Sequence, residues 1–302
     1  MIEIYKESMY EILQLCEDEI ERIKSPEILE VSIPNPDLSS SKHSWRAWSD
    51  LASLLFCRML TPQSISTQRV TLRYQKLNRT DSFHNRQSPL KEEKYGRKSL
   101  FATIHKNEEP AFLFSYRQAL KQVNIAKRRR VLDLGVNSGD EFDIIQKMLN
   151  RSIYEQMSLI GVDHSPSAIE YAQNRFNHSN ITFHCHDIND LESLNLPKSD
   201  LIISIGTLQS PSIPFKTFFM SLIQNYLSFD GAVILGFPNS RWIDKEMIYG
   251  AKAPNYAFSE MSLLIKDIYF CKKYLQQHKF RVTITGKEYL FLTATKIGLL
   301  KE

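Results

Sequence analysis

The 302-residue chain contains no run of about 18 consecutive apolar residues, the length a membrane span requires. Its first residues, MIEIYKESMYEILQLCEDE, are acidic and amphipathic, unlike a secretory signal or transit peptide. A cytoplasmic protein without a membrane partner is expected. Cysteine is scarce as well: Cys16, Cys57, Cys185 and Cys271 lie far apart and form no C-x-x-C pair. That spacing offers neither a disulfide framework nor a thiolate zinc site, and the four read as small buried hydrophobes. His184 and His186 in FHCHD can face one side of a strand, but no third ligand accompanies them, so no metal site is assigned. Internal repeats and low-complexity segments are also missing.

What is present is an ordinary globular composition, 42% hydrophobic and 24% charged, enough to bury at least one substantial core. The net charge of +4 is unevenly spread: residues 1–50 sum to −6, residues 51–130 to +12 and residues 131–302 to −2. The middle block is a candidate surface for an anionic partner.

Periodicity divides the chain further. Ile2, Tyr5, Met9, Ile12, Cys16, Ile20 and Ile23 fall at steps of three and four, predicting a helix over 2–23. SPEILEVSIPNPDLSSSKHS, with three prolines, reads as a connecting stretch ending in Ser44, the N-cap of a second helix from Trp45 to about Leu60. Val70, Leu72 and Tyr74 alternate with Arg69, Thr71 and Arg73, as in a half-buried strand. Residues 76–107 are polar and basic and read as a long loop or lid, and a helix follows with Pro110 in its first turn and Phe112, Tyr116, Leu120 and Val123 inward. The expected organisation is a mainly helical N-terminal accessory region, 1–107, and a second domain, 108–302.

After KRRR the rhythm becomes regular. Strand-like runs at 131–134, 159–162, 181–185, 201–205 and 232–235 alternate with helical segments, the pattern of a mostly parallel α/β sheet. FRVTITGKEYLFLTATK breaks the alternation with two strand patterns joined at Gly286 and Lys287, predicting an antiparallel last strand.

The stretch VLDLGVNSGDEF runs from a buried strand directly into a turn holding Gly135, Asn137 and Gly139. Such a turn brings backbone N–H groups and the positive end of a helix to the tip of the sheet, where open α/β sheets bind ligands. Asp163 ends the second strand, where a carboxylate can accept from the vicinal hydroxyls of a ribose. Asp187 ends the third, placed to accept from an exocyclic adenine amine. A nicotinamide-binding fingerprint, G-x-G-x-x-G, is not met, because Asn137 and Asp140 occupy its later positions and Asp163 follows Asp133 by 30 residues.

On these residues the chain resembles the class I S-adenosylmethionine-dependent methyltransferases over roughly residues 108–302. Asp133, Gly135 and Gly139 match the family's glycine motif, with Asn137 where a central glycine is usual. The resemblance implies a seven-stranded Rossmann-like sheet with its last strand reversed, S-adenosylmethionine as cofactor and S-adenosylhomocysteine as product. It places Asp133, Gly135, Asn137, Gly139, Asp163, His164, Asp187, Ile188 and Ile205 around that cofactor. No catalytic side chain is assigned. SIGTLQS at the fourth strand lacks the Asn/Asp-Pro-Pro-aromatic motif of amino-group enzymes on adenine or glutamine, and Ile205 lacks the carboxylate of metal-assisted members, so no magnesium or calcium is expected.

Two regions are candidates for the acceptor. Arg241, Trp242, Asp244, Glu246 and Tyr249 lie in a polar and aromatic loop after the fifth strand, distantly similar to the corresponding region of messenger-RNA cap guanine-N7 methyltransferases. Arg69, Arg73, Arg79, Arg86, Lys91, Lys94, Arg97 and Lys98 interleave with Tyr74, Phe83, His84 and Tyr95, a composition that suits either RNA or a small acidic metabolite. A small-molecule acceptor is the first expectation, RNA the alternative, and a module that binds the cofactor without turnover the third.

Overall fold

The computed structural model describes residues 1–80, 91–251 and 260–298, and the chain divides into two compact units: Met1–Asn85 with Arg241–Tyr249, and Arg86–Ser240 with Gly250–Glu302.

The first unit is a four-stranded sheet with two helices, not the mainly helical region that periodicity suggested. Strand β1 (Ile2–Glu3) precedes helix α1 (Met9–Arg22), whose start is fixed by a capping box: the Ser8 hydroxyl accepts from Glu11 N, and Glu11 reaches back to Ser8 N. Those bonds hold Ser8 extended, so the predicted helix over 2–23 begins seven residues late and Ile2 pairs with Val31 instead. Ile12, Cys16 and Ile20 form its buried face. The expected connecting stretch contains strand β2 (Ile28–Pro34), with Leu29, Val31 and Ile33 alternating into the core.

Helix α2 (Trp45–Leu54) starts at the predicted N-cap, Ser44, but stops before Phe56, whose φ of 55° turns the chain into β3 (Cys57–Ser64). Antiparallel pairing with β4 (Arg69–Lys76) recruits those residues into the sheet, whose order is β1-β2-β4-β3. β4 was predicted as a strand and occupies the interior of this sheet. The hairpin β10 (Ser240–Ile243) and β11 (Glu246–Tyr249) belongs to this unit, and Asp244 and Lys245 at its tip both have positive φ, as a two-residue turn requires.

The second unit carries the alternation seen in the sequence. Its elements are α3 (Pro110–Gln122), β5 (Arg130–Leu134), α4 (Asp140–Met148), α5 (Arg151–Glu155), β6 (Ser158–Asp163), α6 (Pro166–Arg175), β7 (Ile181–Cys185), β8 (Ser199–Ile205), α7 (Phe215–Ser221), β9 (Leu227–Pro238), α8 (Ser262–Gln277), β12 (Phe280–Gly286) and β13 (Tyr289–Lys296). The sheet order is β12-β13-β9-β8-β5-β6-β7, with β5 to β9 parallel and β13 antiparallel to both its neighbours. This is the seven-stranded, mostly parallel sheet with its last strand reversed that the resemblance implies.

Both faces of the sheet are covered, because successive strand residues point oppositely. Val131, Leu159, Leu201 and Ile203 pack with Phe112, Tyr116, Phe142 and Ile169 on one side. Leu132, Ile160, Ile202 and Leu235 pack with Phe219, Ile268 and Leu275 on the other. Each fully buried side chain of this kind contributes roughly 1.5–3 kcal/mol. Three of the cysteines are buried as expected, whereas Cys185 is exposed at the end of edge strand β7.

Strand β5 is central, and its start is pinned. The Asp200 carboxylate accepts from Arg129 N and Arg130 N at 2.7 and 2.9 Å, and the Arg128 guanidinium donates to the carbonyls of Val123, Asp200 and Asp230. Asp200 thus has a structural role. Asp200→Ala is expected to lower the unfolding free energy by about 1–3 kcal/mol, because two backbone donors lose a charged acceptor, and urea denaturation measures it.

Candidate functional site

The parallel strands β5, β6 and β7 run outward in chain order, and β8 returns to the other side of β5. The chain therefore reverses direction across the sheet at the carboxyl ends of β5 and β8, where such sheets open a crevice. β5 leaves it through Gly135, Asn137 and Gly139, all with positive φ, at 78°, 45° and 79°. A Cβ on Gly135 would stand 1.9 Å from Thr207 Oγ1, and one on Gly139 2.5 Å from Phe176 Cε2, so backbone and space both exclude a side chain there. Gly135 N and Val136 N donate to Val162 O at 2.8 and 3.2 Å, and α4 begins immediately after Gly139. Its positive end faces the turn.

Asp163 ties this turn to the next two strand ends. Its Oδ2 accepts from Asn137 N at 2.9 Å, its Oδ1 from Ser165 N at 3.0 Å, and its carbonyl from His186 N at 2.8 Å. Burial pushes its carboxyl above the ordinary value, against the lowering effect of those N–H donors and of His164. Each carboxylate oxygen retains a second lone pair. His164 beside it is exposed, 6.4 Å from the Tyr95 ring. Asp187 is exposed after β7 and accepts from Asn189 N at 2.9 Å, opening the short 3₁₀ turn in which Ile188 is buried. Ile205, buried, ends β8. The nine residues predicted from sequence thus lie on the carboxyl ends of four neighbouring parallel strands. His184 and His186 do not join them as a metal pair: His186 Nε2 lies 2.9 Å from Asp190 O and Ser193 Oγ, and the described residues contain no group of three or more acidic, histidine or cysteine ligands.

Beneath the turn lies a charge cluster that sequence reasoning only half found. Asp133 is 1% exposed and neither carboxylate oxygen has a partner. Glu141, 2% exposed, pairs through Oε1 with Lys106 Nζ at 2.5 Å and leaves Oε2 unpartnered. Burial, and then the neighbouring Glu141, hold the Asp133 carboxyl well above the ordinary range, and burial raises Glu141 too. Burial works against the Lys106 ammonium, but Glu141 and Asp140 outweigh it and raise its pKa. Two buried carboxylates with a single cation nearby leave an excess of negative charge that suits a second positive charge. The only sequence signal for Glu141 was an acid at the inward face of a first helical turn, beside Phe142.

A further finding is where the expected lid lies. Residues 81–90, with Phe83, His84 and Arg86, are outside the described residues, and 91–108 form three 3₁₀ turns that dock on the second unit. Glu93 caps α6, accepting from Ser167 N at 3.1 Å and from the Ser167 hydroxyl, while Arg97 N donates back to Ser167 Oγ at 2.9 Å. The Arg97 guanidinium lies 3.8 Å over the Tyr171 ring, and Asn137 Nδ2 donates to Tyr95 O at 2.8 Å. This segment closes against the glycine turn itself.

The two acceptor candidates are largely engaged elsewhere. In the hairpin, Glu246 pairs with Arg58 at 2.5 Å and Asp244 O accepts from the same guanidinium, Trp242 is buried, and Tyr249 is 44% exposed. In the basic block, Arg69 donates to Ser32 and Ile4 O, Arg73 lies 3.9 Å from Glu30, and Lys76 Nζ donates to Ile20 O and Ile23 O at the end of α1. These cations hold the first unit together.

A protein family described as a methyltransferase domain matches residues 125–283. The chain is 39% identical over 82 residues to a malonyl-[acyl-carrier protein] O-methyltransferase of Acetivibrio thermocellus, covering 27% of this chain and 26% of that protein. It is 26% identical over 155 residues to a carboxy-S-adenosyl-L-methionine synthase of Helicobacter pylori, covering 49% and 62%. The chain therefore spans less than two thirds of these curated relatives. Among solved structures, a SAM-dependent methyltransferase from Aquifex aeolicus aligns over 59% of this chain and 89% of that one at 18% identity and a TM-score of 0.41. An N-methyltransferase from Bradyrhizobium japonicum aligns over 63% and 98% at 15% identity and a TM-score of 0.43.

Removing the cation of the buried cluster tests its electrostatics. Lys106→Met is expected to cost about 3–5 kcal/mol of stability near neutral pH, where Glu141 and Asp133 lose their counter-ion. The loss shrinks as pH falls, because the folded state then meets the deficit by binding a proton, and denaturant unfolding from about pH 5 to about pH 8 measures this. An equal cost at every pH would show the cluster uncoupled.

Proposed function

This chain belongs to the methyltransferase-domain family, and from that premise we propose that it is a class I S-adenosylmethionine-dependent methyltransferase whose acceptor is a small molecule bearing an anionic group. The bound cofactor supplies an activated methyl group on sulfur. The residues present fit it: a turn of three positive-φ residues at the carboxyl ends of the strands, and buried carboxylate oxygens without partners that suit a cationic ligand. We assign Gly135, Asn137 and Gly139 to close backbone approach, Asp163 and Asp187 with Ile188 to the nucleoside, Ile205 and His164 to the walls, and Asp133 to the charged end. The chain's contribution is alignment and exclusion of water.

The observation that carries the cofactor assignment is the convergence of Gly135, Asp163, Asp187 and Ile205 on four adjacent strand ends. The acceptor class is supported by the printed names of two curated relatives, a malonyl-[acyl-carrier protein] O-methyltransferase and a carboxy-S-adenosyl-L-methionine synthase, whose acyl or carboxy groups are anionic. RNA is the second choice, since Arg58, Arg69, Arg73 and Lys76 are committed to protein partners and leave no continuous row of free cations among the described residues.

Incubation with methyl-labelled S-adenosylmethionine and a cell extract separated into small-molecule, RNA and protein fractions tests this reading. Label is expected in the small-molecule fraction; label in nuclease-sensitive material would overturn it, and cofactor binding without transfer to any fraction would leave a sensor of the cofactor. Independently, affinity for the cofactor is expected to rise with pH through the raised carboxyl values of Asp163, Asp133 and Glu141, since a cationic ligand favours their ionised forms. Asp163→Ala should weaken binding about tenfold to a hundredfold near neutral pH. Calorimetry giving an unchanged affinity would remove Asp163 from the site.

A further inference from the structure

Within the first unit, two guanidinium groups meet on one aromatic ring. The Cζ atoms of Arg79 and Arg241 lie 4.0 and 5.0 Å from the centroid of the Phe56 ring, so they are no further apart than the sum of those distances. Phe56 is buried, forms a small apolar cluster with Leu77, Ile243 and Ile248, and is held by its positive φ and by the bond from Leu77 N to its carbonyl at 3.0 Å. The ring is therefore a fixed floor for both cations.

Neither guanidinium makes a hydrogen bond or ion pair with a described residue, and Arg241 Nε is buried without a partner. The contrast with Arg58 in the same unit is direct: that side chain has Glu246, Gln75 and the Asp244 carbonyl. Burial and then the charge of Arg79 press the Arg241 pKa down, with no carboxylate opposing them. Two cations gathered on an apolar floor, one of them with a buried donor unmet, cost free energy that an oxyanion would recover. The aromatic face compensates each of them only in part.

We propose that Arg79 and Arg241, supported by Phe56, form a binding site for one oxyanionic group, a phosphate or a carboxylate, carried by a small molecule. Two planar donors approaching a single group suit an anion that accepts from more than one side. A nucleic-acid backbone needs a row of such cations, and the neighbouring Arg58, Arg69 and Arg73 are already engaged. The site lies within one unit and does not depend on the cofactor or on turnover.

The test is calorimetric titration of the whole chain, free of cofactor, with sodium phosphate and separately with sodium acetate. Sodium chloride holds the ionic strength constant, and the unfolding midpoint is recorded in parallel. At least one of the two anions is expected to bind and to raise the midpoint above that in chloride, phosphate reporting a phosphorylated occupant and acetate a carboxylated one. Arg79→Gln, at an exposed position, is expected to keep the native midpoint in chloride while weakening the anion about tenfold or more. Arg79→Lys is expected to recover part of the loss, because it restores the charge but not the planar fork. No binding beyond chloride in the native protein, or an undiminished response in Arg79→Gln, would overturn the site. Tight binding of a short oligouridylate with a steep salt dependence would overturn its assignment to a small molecule.

Discussion

One residue reaches three strand ends. Asp163 closes β6, its side chain holds the turn after β5 through Asn137 N and the start of α6 through Ser165 N, and its carbonyl receives His186 N after β7. Neighbouring parallel strands could otherwise end in independent loops, each free to drift. Because these donors are backbone groups, they fix the path of the chain and not merely a side-chain rotamer. The cost is a desolvated acid, and its N–H donors offset part of that cost. The same residue is thus architecture first, and its position is stiff enough to serve the cofactor contact proposed for it.

The second unit was legible because its signals are redundant. Each parallel strand is an apolar run of four or five residues, each helix has a one-sided apolar face, and the reversed hairpin is announced at Gly286 and Lys287. The first unit was less legible for particular reasons. Leu29, Val31 and Ile33 do alternate, but prolines on either side made the segment look like a connector. Cys57 to Leu60 continue the apolar spacing of α2, and only long-range pairing with β4 draws them into a strand. Within the site, the glycine turn and the acids at strand ends could be read locally. The Lys106–Glu141 pair and the Glu93 cap could not, since they join residues 35 and 74 positions apart and belong to no local motif.

The excess of positive charge between residues 51 and 130 divides into distinct uses once each cation is followed to its partner. Lys76 satisfies carbonyls at the end of α1, Arg58 clamps the β10–β11 turn, Arg128 joins three carbonyls beside β5, and Lys106 neutralises a buried acid. A sequence-level sum counts all of these equally, although these four are spent on the protein's own carbonyls and carboxylates. What a partner meets depends on which of these cations remain without a partner inside the protein.

Asn137 stands where its motif ordinarily has glycine, and the difference is more than a tolerated strain. A glycine would relax the positive φ, but it has no side chain with which to reach Tyr95 O, whereas asparagine holds the turn and the 91–97 segment together with one amide. Backbone ease and tertiary attachment therefore pull on this position in opposite directions. A chain that kept asparagine has accepted a stiffer bend in return for a roof fastened to its floor, so whatever passes between them must first contend with that single amide.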